Sequence, residues 1–217
     1  VDTSDYAPLI RVPWIYGERS LLLDAWRVRR WQGEPRSMEG QALQWCEPWR
    51  VDMASLAPAD RVILNALRLP AHYPITPAQV RIEERAAWRD RLLAALDRGE
   101  RLLQLRLPLW PAEAVRELAA ELLPQARRLD ATLMLNGDIE GALQLGVGVQ
   151  LKAAQLTGLA GRPLPLNQPV GASCHDGDEL GLAARLQADF ATLSPVAATA
   201  SHPGAEPLGW PRFHALA

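Results

Sequence analysis

Residues 188–210 read ADFATLSPVAATASHPGAEPLGW, and the reading of this stretch decides the fold. Phe190 to Leu193 is a short apolar strand that ends at Ser194-Pro195. A loop of small and hydroxylated residues follows, carrying Thr199 and Ser201 and closed by His202-Pro203-Gly204. A helical pattern resumes near Leu208. A strand that opens into Ser, Thr and Gly ahead of a helix can gather backbone N–H groups, hydroxyls and the positive end of a helix around an anion. The same composition also suits an ordinary polar βα loop, so the order of elements around it has to decide.

Working outward, the chain upstream alternates regularly. HYPITP (72–77) is strand-like, and 82–99 is helical with apolar residues at three- and four-residue spacing. RLLQLRL (101–107) is a strand, followed by a helix with Pro111 in its first turn, which Pro124 should kink or end. TLMLN (132–136), VGVQL (147–151) and PVGASCH (169–175) are further strands. Between them lie a short helix closed by Gly146, an irregular stretch from Lys152 to Gln168, and the helix DGDELGLAARLQA. Six β units, mostly separated by helices, imply parallel strands, in a doubly wound sheet or a (βα)8 barrel. The strands end in polar residues: Arg106, Asn136, Gln150, Ser173 to His175, and Ser194. Ligands bind at such strand ends, so a shared pocket is expected there.

Upstream of Leu69-Pro70 the pattern differs. Residues 9–31 alternate and then run apolar, with a turn at Gly17-Glu18-Arg19, which reads as a hairpin with a loop of three residues or more. A loop follows over 31–41, then a short strand over Ala42 to Trp45, and a helix over Ala59 to Leu69 with Asp60 near its start. Two domains are therefore expected, an α+β piece over 1–69 and an α/β piece over 70–217.

Composition narrows the function. The chain has 217 residues, 48% of them hydrophobic and 22% charged, as globular proteins do. A net charge of −2 supplies no basic field for a nucleic-acid polymer or an anionic membrane. Arginine supplies every basic residue but Lys152, a bias that suits a GC-rich coding sequence rather than a design for phosphate. No apolar run approaches the ~20 residues of a membrane span and no secretory signal is visible, so the cytoplasm is the default. Cys46 and Cys174 have neither metal-ligand spacing nor a disulfide framework. A chain that starts at Val1 and stops within the helical pattern FHALA reads as a fragment cut at both ends. Oligomeric state is left open.

Two resemblances give these segments candidate functions. Gln104-Leu105-Arg106, Leu135-Asn136, Gly171-x-Ser173-x-His175 and the 194–209 loop occur in the order found in thiamine phosphate synthases, and the segment from 72 to 217 resembles that family. The resemblance implies a (βα)8 barrel, with about six of its eight units here, that takes phosphorylated thiamine precursors. It implies that Gln104, Arg106, Asn136, Ser173, His175, Thr199, Ser201, His202 and Gly204 bind substrate, and that Mg2+ sits on the pyrophosphate. The sequence departs from the family at the two magnesium carboxylates, where Gly137 and Gln155 stand, and where lysines are expected it has Pro108 and His202. Asp138, one place along, is the remaining candidate metal ligand.

Trp31-x-Gly33-Glu34-Pro35-x-x-x-Glu39-Gly40-Gln41, followed by Trp45 and Ala57-Pro58-Ala59-Asp60, resembles the C-terminal half of a MutT-type Nudix hydrolase. That family cleaves oxidised guanine nucleoside triphosphates, which places it in DNA repair. The resemblance implies that Glu39 is a catalytic magnesium ligand and that Asp60 reads the purine edge. The Nudix box itself is absent from these residues. The combined expectation is an α/β protein: an incomplete barrel preceded by a partial α+β Nudix domain, from a parent 8-oxo-dGTP diphosphatase. On that reading the chain alone is inactive. The alternatives are a thiamine phosphate synthase, or a barrel that binds phosphate ligands without synthase activity.

Overall fold

Two long runs of alternating residues open the chain, and they pair. In the computed structural model, which describes residues 2–199 and 206–217, β1 (Asp2–Tyr16) and β2 (Arg19–Gln32) form an antiparallel hairpin. Tyr16 pairs with Arg19, so the loop has two residues rather than the expected three or more. Gly17, at φ 58°, supplies the positive angle that a tight hairpin with glycine first requires. Register shifts near Thr3, Asp5 and Pro8 accommodate irregularities in β1. The chain divides into two compact units, 1–69 and 70–217.

The first unit is completed by two single-turn 3-10 segments and α1 (Pro58–Arg68), which buries Ala59 and Leu64. Arg68 ties the helix end back, donating to the carbonyls of Pro48 (2.8 and 3.0 Å) and Val51 (2.9 Å). The strand expected over 42–45 does not form: among the described residues no ladder partner reaches it, and extended backbone without one is not a strand.

In the second unit β3 (Leu102–Leu105), β4 (Thr132–Asn136), β5 (Gly148–Leu151), β6 (Val170–Cys174) and β7 (Phe190–Leu193) pair in parallel, each with the next in sequence. A doubly wound sheet reverses its strand order at a switch point, and these five strands never do. Right-handed crossovers all stepping the same way put every helix on one side and curl the sheet, as in a barrel. The helices are α2 (Arg85–Asp97), α3 (Ala112–Arg128), α4 (Ile139–Leu145), α5 (Ala153–Leu156), α6 (Gly177–Arg185) and α7 (Gly209–Leu216). The strand expected at 72–77 is reduced to a bridge from Ile75 to Gln104, held by Gln104 N–H to Pro74 O (2.9 Å) and Thr76 N–H to Gln104 O (3.0 Å). Pro74 and Pro77 have no N–H with which to extend it.

Alternation along each strand sorts the side chains. Leu103, Leu105, Leu133, Leu135, Val149, Leu151, Val170 and Ala172 pack with Leu96, Leu118, Leu122 and Ala126 of α2 and α3 in one buried core. Burial of each such leucine contributes about 1.5–3 kcal/mol. The intervening residues, Gln104, Met134 and Gln150, are buried on the opposite, concave face. This core also overrides two local signals. Pro124 lies inside α3, which continues to Arg128 because Leu122 and Ala126 on either side of it are fully buried. The stretch expected to be irregular after Lys152 begins with the single turn of α5, whose Leu156 is buried.

The base of the sheet is fastened by Arg162, in the loop between α5 and β6. It donates to the carbonyls of Leu164 (3.1 Å), Gln168 (2.8 Å) and Gln187, and pairs with Asp189 at 2.7 Å. The same Asp189 oxygen accepts the Val170 N–H at 2.7 Å. Both side chains are buried, at 8% and 6% exposure. No helix among the described residues is long and apolar enough to cross a membrane.

Candidate functional site at the strand ends

The concave face carries a polar ladder. Gln104, 3% exposed, donates through Nε2 to Asn136 Oδ1 at 2.9 Å. Gln150, 1% exposed, is tied on both sides of its amide: Tyr73 OH donates to Oε1 (3.1 Å), and Nε2 donates to Ser173 Oγ (3.1 Å) and Thr192 Oγ1 (3.2 Å). This one side chain links the segment before β3 to β5, β6 and β7. Gly171 is required beside it, because a Cβ there would lie 2.2 Å from Gln150 Oε1 and 2.7 Å from the Phe190 ring. Tyr73 meets that ring edge-on at 5.2 Å, and burial pushes the tyrosine hydroxyl pKa well above its usual value. Satisfied on every side, Gln150 is a structural tie.

Those residues stand at the strand ends. The Arg106 N–H donates to Thr76 Oγ1 (2.7 Å), and that hydroxyl donates to Arg106 O (3.0 Å), fixing the backbone where β3 ends. His175 is exposed just beyond β6, and its N–H and Nδ1 both meet Glu179 Oε2, at 2.6 and 2.9 Å. After β7 the loop is tied at its base, with Leu208 N–H on Pro195 O and Gly209 N–H on Val196 O, both at 2.9 Å. Thr199 is exposed on that loop, whereas Ser201, His202 and Gly204 lie outside the described residues. The structure thus brings Gln104, Arg106, Asn136, Ser173 and His175 to one end of one sheet.

A magnesium ion does not fit this end as the described residues arrange it. Asp138 Oδ2 accepts Arg116 Nε at 2.7 Å, and Oδ1 accepts Arg116 Nη2 at 2.8 Å and Gly141 N–H at 3.0 Å. The Arg116 guanidinium, helped by the Gly141 N–H, holds this carboxyl below the usual carboxylate range. Both oxygens are therefore occupied in capping α4 and holding α3. Gln155 Nε2 donates to Gly137 O at 2.9 Å, so the two positions where carboxylates were expected bond to each other. Among the described residues no three His, Cys, Asp or Glu side chains gather as a metal site.

In the first unit, Glu39 is exposed in a loop whose ends are brought together by Trp31 stacked on Trp45, with ring centroids 5.5 Å apart. Its N–H donates to Gln41 Oε1 at 3.1 Å. Asp60 is exposed in the first turn of α1.

Tyr73, Thr192, Arg116 and Lys152 also stand at this end of the sheet and belong to none of the motifs. For Thr192 the signal was period two within β7, which places it beside Ser173. For Lys152 it was the position of the chain's one lysine, immediately after β5.

A curled parallel βα sheet with polar residues at the C-terminal ends of its strands is the half-barrel form of a TIM-type fold. Residues 72–217 match the family described as thiamine monophosphate synthase, TMP-TENI, and the chain belongs to it. The chain is 31% identical over 144 residues to a "Putative thiamine-phosphate synthase 2" of Aquifex aeolicus, covering 66% of this chain and 76% of that protein. It is 36% identical over 123 residues to the "Thiamine biosynthesis bifunctional protein ThiM/ThiE" of Symbiobacterium thermophilum, covering 55% of this chain but 26% of that one. The structure is similar to that of "Thiamine phosphate pyrophosphorylase from Pyrococcus furiosus", with TM-score 0.50, 22% identity, and coverage of 66% and 67% of the two chains. That likeness concerns the fold. The family match begins at residue 72, so the Nudix resemblance of the first unit stands on its sequence motif alone.

Proposed function

We propose that the barrel unit serves thiamine biosynthesis by binding a phosphorylated thiamine precursor at the C-terminal ends of β3 to β7, without metal-assisted synthase chemistry. One observation carries this reading. The amide-bearing strand ends are kept, with Asn136 held by Gln104, while Gly137 and Gln155 bond to each other and Asp138 is closed by Arg116. Departure of pyrophosphate needs its charge neutralised in the transition state, and a metal clamp contributes several kcal/mol to that. Gly137 and Gln155 have no carboxylate to hold one. Gln104, Arg106, Asn136, Ser173, His175 and the loop residues Thr199, Ser201, His202 and Gly204 are the proposed contacts. Calorimetry with thiazole phosphate and with thiamine phosphate, beside an assay for thiamine phosphate formation, tests the reading. Binding without product is the expected result. Binding to neither ligand, or measurable product, rejects it.

A second reading concerns the first unit, and the Trp31–Trp45 stack favours it by closing the loop that presents Glu39. On it, Glu39 is a magnesium ligand and Asp60 a base-recognition residue of a nucleoside triphosphate pyrophosphohydrolase. Pyrophosphate release from 8-oxo-dGTP with magnesium by the full-length parent protein, abolished by Glu39→Gln, would support it. Turnover unchanged by Glu39→Gln would reject it.

A further inference from the structure

A phosphate ester leaving bulk water needs positive charge beside it, from a metal ion or from the protein. At the top of β4 and β5 the protein has a cation of its own. Lys152 follows β5 and is the only lysine in the chain. Its stem lies across Gly137: a Cβ at that glycine would be 2.7 Å from Lys152 Cε and 3.2 Å from Cδ. Gly137, at φ 74°, thus provides both the turn and the space that the lysine occupies. Lys152 lines a cleft of about 270 Å³ together with Asn136, Asp138, Leu107, Trp110 and Val115. No ion pair holds its ammonium among the described residues. The one acid of the cleft, Asp138, has both oxygens on Arg116. Asn136 turns its Oδ1 to Gln104, leaving its NH2 as a donor.

The charge balance of the cleft is therefore inverted relative to a metal site. A dication would meet an ammonium and a carboxylate already neutralised by a guanidinium. An anion meets an unpaired ammonium and an amide donor. We propose that Lys152 stands in for the divalent ion, so that this cleft binds a phosphate or diphosphate ester without metal. The inference rests on the reading that the barrel takes a phosphorylated ligand, and goes further in naming the group that carries the charge.

The test uses the intact chain, with thiamine phosphate and inorganic pyrophosphate as probes, each in EDTA and in excess magnesium. Binding of equal strength in both conditions is expected, and Lys152→Gln should weaken it about tenfold or more, as loss of a charge-assisted contact does. Because Lys152 is the only lysine, its acetylation can be followed by mass spectrometry in the unsubstituted protein, and either bound probe should protect it in EDTA. This second readout holds even where the variant fails to fold. Binding that requires magnesium, an affinity unchanged in a folded Lys152→Gln, or no protection of Lys152 would overturn the inference and leave the precursor-binding reading standing. No binding of either probe under either condition overturns both. Pyrophosphate protecting Lys152 where thiamine phosphate does not keeps the anion site and rejects the thiamine part of the reading.

Discussion

Replacing Arg162 by alanine should destabilise the barrel unit far more than loss of an ordinary surface pair. Arg162 and Asp189 are 8% and 6% exposed, their contact is 2.7 Å, and the guanidinium also serves three carbonyls. Exposed pairs contribute about 0–1 kcal/mol. Removing one partner of a buried pair costs about 3–5 kcal/mol, because the other charge stays behind in low dielectric. Here the charge left behind is the Asp189 carboxylate, which also accepts the Val170 N–H at the start of β6. Hydrogen exchange monitored over 170–174 therefore reads the effect directly. At about 1.4 kcal/mol per decade, protection there should fall by roughly two to four decades. Urea unfolding should move to a lower midpoint by about 1.5–2.5 M, for a slope of ~2 kcal/mol/M. Replacing both partners by apolar residues of similar volume should recover part of the loss. A fall in protection under about one decade for Arg162→Ala would show that the pair behaves as a solvated one, and would refute the argument.

Three further outcomes are expected. Gln150→Leu leaves the hydroxyls of Tyr73, Ser173 and Thr192 without the amide that joins them, and should cost about 1–3 kcal/mol in urea unfolding. The Asp138 carboxyl is held below its unfolded value of about 3.9, so its pairing stabilises the fold above that pH and is lost as pH falls through the folded value. Asp138→Asn should therefore lower Tm near pH 7 and flatten its dependence on pH below about 4, measured by thermal scans in an acid series. Burial, aided by Glu179 and Asp176, pushes the Cys174 thiol up to about 11, whereas Cys46 is exposed. Iodoacetamide at pH 8 should modify Cys46 and spare Cys174, as peptide mass spectrometry would show.

The elements legible in the sequence were those set by local pattern. TLMLN is β4 residue for residue, and Gly146 closes α4 in the left-handed conformation. The βα alternation implied parallel strands, but the choice between an open sheet and a curled one awaited the pairing order, which is a non-local property. Two local signals misled. Residues 42–45 predicted a strand and 72–77 a full strand; a missing partner and flanking prolines decided otherwise. Pro124, expected to kink or end its helix, does not end it, because packing carries α3 on to Arg128. At the site, the polar strand ends were visible one by one, and the resemblance supplied their order. Their partners were not visible, because Tyr73 and Gln150 are 77 residues apart, and Arg116 and Asp138 22 apart. Only the fold shows that Asp138 is already occupied and that Lys152 is not.

The paired base of the loop after β7 has a consequence for how this protein can change. With Leu208 bonded to Pro195 and Gly209 to Val196, the chain re-enters the barrel at α7 from a fixed point, whatever lies between. Lengthening such a tied segment twofold adds only about 0.6 kcal/mol of closure entropy. The segment is thus an exchangeable cassette: insertions or substitutions there should leave the frame of the barrel in register.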